Sequence, residues 1–257
     1  MKMNNRPNLA FLRPTAALAL AAALTCLSTH ADASLIHDYQ LNGNLNDALG
    51  GPALISEGGT VGASTYVFGP NQGLTLAGTG LGNLGNYSIE MRVSLDHIIS
   101  SFGAPWIKLI DFQNLGSDDG LYSYDGQLDG IGSILQFYPV GGTGDAFFPG
   151  RMVHVAITRN ASTGEVISYA EGFGQFTFID GGGIAVFGQD VMRFLQDDFA
   201  TGRRESGDGA IDYIRIYNSV LSPQEILGLA VPEPTSALFG LGTGAVILLR
   251  RRRAAVR

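Results

Sequence analysis

Short runs of alternating apolar and polar residues, separated by glycine, fill the centre of this 257-residue chain and favour strands over helices throughout it. Tyr87, Ile89, Met91, Val93 and Leu95 alternate with Ser88, Glu90, Arg92 and Ser94. That pattern predicts a nine-residue strand with one buried face, because successive side chains of a strand point to opposite sides. Val153–Thr158 alternates in the same way, and Arg159–Gly164 reads as a turn into a return strand over Val166–Ala170. Shorter strands are expected at Leu35–Leu41, Trp106–Phe112, Ile134–Tyr138, Gln175–Ile179, Ile184–Phe187 and Ala210–Tyr217. Glycine-rich connectors such as Gly141-Gly142-Thr143-Gly144 and Gly181-Gly182-Gly183 separate them. Many short strands bury one side each by closing two sheets face to face, so the expected fold is an all-β sandwich of two antiparallel sheets. One helix is expected after Ser222, a capping serine with Pro223 at the first helical position and Glu225 three residues on. Ile226, Leu227 and Leu229 are expected to pack it on the sandwich edge.

Charge divides the chain into three parts. Residues 34–230 hold 8 basic and 21 acidic residues, a net charge of −13, whereas the whole chain carries −7 because both ends are basic. A body this acidic excludes binding to nucleic acid or anionic lipid by bulk electrostatics. At 45% hydrophobic residues the chain has enough apolar surface for a core. The one cysteine, Cys26, lies in the amino-terminal apolar run. The body therefore has no disulfide, thiolate metal site or cysteine nucleophile.

The ends read as targeting segments. Residues 1–33 have a positive region (Lys2, Arg6, Arg13), the apolar run Ala16–Leu27, and Ala31-Asp32-Ala33 before Ser34, the small-x-small pattern of a secretory signal peptide. Residues 231–257 open with Val231-Pro232-Glu233-Pro234, continue with apolar Ala237–Leu249 and close with Arg250, Arg251, Arg252 and Arg253. This segment predicts a short transmembrane helix whose arginines stay cytoplasmic. The motif, span and arginine cluster, in that order, resemble the PEP-CTERM sorting signal of Gram-negative bacteria. The resemblance implies export across the inner membrane and a transient anchor there. It also implies recognition of Pro232-Glu233-Pro234 by an exosortase, a membrane peptidase that removes the tail and releases the protein towards the cell surface or extracellular matrix.

Between the ends, residues 34–230 resemble a laminin-G-like domain, a concanavalin A-like jelly roll. The segments that carry the likeness are Tyr39–Asp47, Tyr87–Val93, Val153–Arg159 with Thr163-Gly164 and Tyr169–Gly172, and Gly209–Tyr217 followed by Leu221–Ile226. Ser100–Gly150 fits no part of the pattern. The resemblance implies a non-catalytic binding or adhesion domain, with a polysaccharide or surface glycan as the expected partner and calcium beside the binding loops.

Calcium takes six to eight oxygen ligands. Asn42–Asp47 concentrates such oxygens, and Asp212 shares strand parity with Ile214 and Ile216, which predicts an inward carboxylate. Asp47 and Asp212 are thus the metal candidates, and the family places calcium near these two regions. The alternative is that Asp47 ends a turn and Asp212 accepts backbone N–H bonds. Asp118-Asp119-Gly120, Asp125-Gly126, Asp129-Gly130 and Asp197-Asp198 read as solvated turns, with Asp197 and Asp198 open to a place on the ligand rim. A glycan hydrolase needs two carboxylates at set separations. Glu90 shares its strand face with Arg92 and Ser94 rather than with acids, and His154 has no neighbouring nucleophile motif. The reading is of a binding protein rather than an enzyme, with hydrolysis and a purely structural matrix role as alternatives. Trp106, Tyr122, Tyr124 and Tyr138 suit either sugar stacking or core packing.

Overall fold

The computed structural model describes residues 34–78, 80 and 84–231. They form two antiparallel sheets packed face to face, the jelly-roll-like sandwich expected. With strands numbered in chain order, the eight-stranded sheet contains β1 (Leu35–Tyr39), β3 (Thr60–Val61), β4 (Tyr66–Phe68), β6 (Tyr87–Leu95), β11 (Val153–Arg159), β12 (Glu165–Ala170), β13 (Phe173–Ile179) and β15 (Gly209–Tyr217). Its order is β13-β12-β11-β6-β15-β4-β3, and β1 pairs with the carboxyl-terminal half of β15. The seven-stranded sheet runs β10 (Gly141–Phe147), β9 (Ser133–Tyr138), β8 (Gly120–Tyr124), β7 (Trp106–Asp111), β14 (Val191–Phe194), β5 (Leu74–Ala77) and β2 (Ile55–Ser56). Met91, Val93, Val155, Ile157 and Ile214 from the first sheet share one core with Leu121, Leu135, Phe137 and Phe194 from the second.

Three expectations change. β6 has the predicted bounds, but Ser88, Glu90 and Ser94 on its polar face are buried as well. The chain recrosses the outer face of this sheet after β15, where Ser88 Oγ donates to Ser219 O and accepts from Leu221 N. The helix α1 (Pro223–Ala230) then seals a second small core of Ala156, Tyr169, Tyr217, Leu221 and Ile226. Its capping box forms as expected, but Ile226 is buried while Leu227 is 39% exposed. Ile184–Phe187 forms a turn rather than a strand, although Ala185 and Phe187 still enter the core. Ser100–Gly150 supplies β7 to β10, over half the strands of the second sheet.

Ser34 and Val231 stand at the two limits of the described residues. The rest of the signal-peptide site (Ala31, Ala33), the motif residues Pro232, Glu233 and Pro234, the proposed membrane helix and Arg250 to Arg253 lie outside them. Among the described residues, no helix is long and apolar enough to cross a membrane.

Candidate functional site on the open face of the seven-stranded sheet

In a regular strand, residues i and i+3 face opposite sides of the sheet. A bulge between Lys108 and Ile110 changes this in β7, putting Ile110 in the core and returning Asp111 to the side of Lys108. That side faces away from the core. Cross-strand pairing adds Tyr124 opposite Trp106, Tyr122 opposite Lys108, and Gln136 opposite Tyr122. Gly120, paired with Asp111, must be glycine, because a Cβ there would lie 2.7 Å from Ile110 O and 3.4 Å from Lys108 Cε.

Aromatic rings occupy one end of this face. The Trp106 ring centroid lies 4.1 Å from that of Tyr124, while Tyr122 and Tyr138 meet it edge-on at 5.6 and 5.4 Å. Trp106, Tyr124 and Tyr138 are part-exposed, and Tyr122 is buried beneath them. A ring cluster of this kind on an open sheet face presents flat apolar surface at little conformational cost.

Tyr122 joins the rings to a buried charged cluster. Its hydroxyl lies 3.0 Å from Asp118 Oδ1 and 3.4 Å from Asp198 Oδ2. Lys108, fully buried, donates through Nζ to Asp198 Oδ2 at 2.5 Å, to Asp111 Oδ2 at 3.3 Å and to Ser117 O at 3.4 Å. The segment after β14 contributes the other acids. Backbone pairing of Lys108 N with Glu205 O holds that segment beside β7 at 2.9 Å. Asp197 Oδ2 accepts from Glu205 N at 2.8 Å and from the Thr201 hydroxyl at 2.9 Å.

The electrostatics are unbalanced. Burial pushes the Asp198 carboxyl up, but the hydrogen bond and charge of Lys108 outweigh it and leave Asp198 below its ordinary value. Burial raises Asp197, Asp111 and Asp118. Glu205 is pushed up to about 8 by burial and by the neighbouring charges of Asp118, Asp197 and Asp198. Carboxylate oxygens of Asp118, Asp198 and Glu205 lie within 4.8 Å of one another. Beside them, Asp197 Oδ1 is buried without a hydrogen-bond partner among the described residues. The donor set, all oxygen and rich in carboxylate, fits a hard cation such as calcium.

A carboxyl with a raised folded value favours the folded state at low pH, and that advantage is lost as pH rises through the folded value. With a chelator present, the melting temperature is therefore expected to fall between the ordinary Glu205 value of 4.5 and about 8. Glu205→Gln should flatten that fall, and added calcium should raise the melting temperature of the parent chain more than that of the variant. Equal slopes and equal calcium responses would count against both the strain on Glu205 and its part in holding an ion.

The sequence-predicted metal pair does not form this site. Asp47 Oδ2 lies 2.7 Å from His37 Nδ1, and its Oδ1 accepts from Asp38 N at 2.9 Å and Leu49 N at 3.0 Å. These are the backbone bonds of a turn-ending aspartate. Asp212 is not inward: a bulge between Ile211 and Tyr213 breaks the parity with Ile214. Its side chain is 37% exposed, 3.9 Å from Arg92. Asp197 and Asp198 are fully buried rather than solvated, and Gly120 is a strand residue rather than part of a turn. Asp125 and Asp129 do close turns, accepting from Gly130 N and Ile131 N, but Asp125 is buried rather than solvated. His154 is hydrogen-bonded within its sheet, as expected. Glu205 was missed, since no spacing in the sequence ties it to Lys108 or Asp118.

The sequence matches the family described as the concanavalin A-like lectin/glucanases superfamily over residues 68–227. No curated protein matches it. Among solved structures, it is similar to domain 4 of an extracellular GH43 arabinanase from Geobacillus stearothermophilus, solved in complex with arabinotriose. That likeness has 19% identity and a TM-score of 0.53, and covers 77% of this chain and 99% of the other. It is also similar to the Trypanosoma rangeli sialidase, with 14% identity and a TM-score of 0.56 over 80% of this chain but 34% of the sialidase. At these identities the likeness is one of fold.

Proposed function

The chain belongs to the concanavalin A-like lectin/glucanases superfamily, and from that membership we propose that its body is a non-catalytic carbohydrate-binding module working from the open face of the seven-stranded sheet. The observation that carries this reading is the ring cluster of Trp106, Tyr124 and Tyr138, held part-exposed above a buried Tyr122. Flat rings stack on the apolar faces of sugar rings, and carboxylates beside them accept hydroxyl hydrogens. The arabinanase domain of the same fold was solved with an arabinose oligosaccharide, which agrees with a polysaccharide partner here. A calcium ion in this reading is held by Asp118, Asp198 and Glu205, and supplies positive charge that Lys108 alone does not. A glycan array and a calorimetric titration test the binding, and a flat array would refute it.

One observation favours hydrolysis as a second reading: burial and charge separate the values of Asp198 and Glu205, as in acid–base pairs. Asp198 is however fully buried and ion-paired with Lys108, so it presents no exposed carboxylate to a substrate. Reducing-sugar release from a polysaccharide, abolished in Glu205→Gln, would establish this reading instead.

The same proposal extends to location. An exported protein, anchored briefly in the inner membrane and cut by an exosortase-type peptidase at Val231-Pro232-Glu233-Pro234, would deliver the module to the cell surface or extracellular matrix. Mass spectrometry of surface-recovered protein is expected to find a mature chain ending near Pro234. A chain still ending at Arg257 would overturn the sorting step.

A further inference from the structure

A second cleft lies on the outer face of the eight-stranded sheet, on the other side of the sandwich from the ring cluster. It encloses about 340 Å³ between Arg92, His154, Tyr213 and Arg215 on the strands and Gly228 to Val231 at the end of α1. Pockets for small molecules begin near this size, at roughly 300 Å³.

His154 forms part of its wall and is buried. Its Nε2 lies 2.8 Å from Glu90 Oε2. Burial pushes the Glu90 carboxyl up, but its partners His154, Tyr217 and Arg215 together outweigh it, leaving Glu90 below its ordinary value. The ionised Glu90 carboxylate accepts from Nε2, which leaves Nδ1 as the second polar atom of the ring. That atom is buried with no hydrogen-bond partner among the described residues. Buried polar atoms are rarely left so, and each one calls for a partner.

The other walls supply donors and acceptors together. The Arg92 guanidinium has a long 3.9 Å contact with Asp212, and its side chain is 42% exposed, leaving N–H groups to offer. Arg215 is fixed by Asp38 and Glu90 and lies over the Tyr213 ring at 4.6 Å. The last turn of α1 brings carbonyls that a helix end leaves without intrahelical partners. Arg92 faces Asp212, Arg215 is paired with Asp38 and Glu90, and the helix end is negative, so the basic residues here do not make an anion site. A hydroxyl group, which donates and accepts at once, matches this wall.

We propose that the cleft is a second saccharide site, which takes a neutral sugar unit whose hydroxyls donate to His154 Nδ1 and accept from Arg92. Two sites on opposite sheets make the module bivalent, so that one copy bridges two glycan chains or two points on one chain. The site itself stands on the cleft alone, and only the bivalency rests on the ring cluster as well.

Imidazole nitrogen resonances of the full chain, labelled with ¹⁵N-histidine, test it. The probes are cellobiose, maltose, sucrose and sorbitol, with acetate and phosphate as anion controls. The free chain is expected to show His154 as the Nε2–H tautomer, and at least one neutral probe should shift its Nδ1 resonance. Gly228→Trp should abolish that shift: Gly228 lines the cleft, and a Cβ there meets nothing within 4 Å, so the backbone admits a side chain at this point of the wall. Arg92→Ala should weaken the response at least tenfold, whereas Trp106→Ala should leave it intact. The opposite tautomer, no response to any neutral probe, a response to anions alone, or one that survives Gly228→Trp would each overturn the proposal.

Discussion

Lys108→Met is expected to destabilise the domain by about 3–5 kcal/mol, because removing one partner of a buried ion pair leaves the other charge uncompensated. Lys108 is fully buried, and its ammonium group serves Asp198 and Asp111 together, both also fully buried. Methionine preserves much of the stem's packing, so the loss reports charge rather than volume. Against a total stability of roughly 5–15 kcal/mol, this is enough to bring the domain close to unfolding at ordinary temperature. Urea unfolding at neutral pH with a chelator present should show a lower midpoint with an unchanged slope. The double variant Lys108→Met with Asp198→Asn should recover a substantial part of the loss, because it removes the stranded carboxylate. A single variant that loses under about 1 kcal/mol would show that solvent already screens the cluster.

Trp106→Ala is the second change expected to act strongly, and on binding rather than folding. Trp106 touches Tyr122, Tyr124 and Tyr138, so its removal takes away the centre of the ring surface. Truncating an aromatic anchor of this kind typically costs about 2 kcal/mol or more, which corresponds to a roughly 30-fold weaker Kd. Calorimetric titration with the best glycan from an array should show that loss, while far-ultraviolet circular dichroism stays as in the parent chain. Trp106→Phe should keep most of the affinity, because it retains a flat ring at the same position. Unchanged affinity in Trp106→Ala would move the binding surface elsewhere and remove the main support for the proposed function.

The sandwich was largely legible because its framework strands obey the alternation rule. β6 and β11 are central strands whose inward residues are apolar except for Arg159 at the end of β11, and the α1 cap is spelled out by Ser222, Pro223 and Glu225. The site was not legible, for three physical reasons. β7 and β15 each carry a bulge, and a bulge inverts the parity on which facing is inferred, as at Asp111 and Asp212. Asp197 and Asp198 resemble a solvated turn in sequence, since only the fold brings the ammonium of Lys108 ninety residues away to Asp198. Ser100–Gly150 shows no motif of the family in its sequence, yet the family match runs through it and it carries Trp106, Lys108, Tyr122 and Tyr138. The aromatic residues were recognised as suited to sugar, but their meeting on one face depends on strand register, which no single segment encodes.

The order of strands in the eight-stranded sheet also determines when the molecule can fold. β6 pairs with β15, so Ser88 meets Tyr217, and the same strand completes β1 through the pairing of Leu35 with Tyr217. The central ladder therefore waits for a partner well over a hundred residues downstream, and loop-closure entropy must be met before that pairing rewards the chain. A nascent chain that has not yet released Gly209–Tyr217 lacks the strand between β6 and β1, and remains without a finished first sheet. Any truncation before Tyr217 therefore removes part of a central strand rather than a dispensable tail.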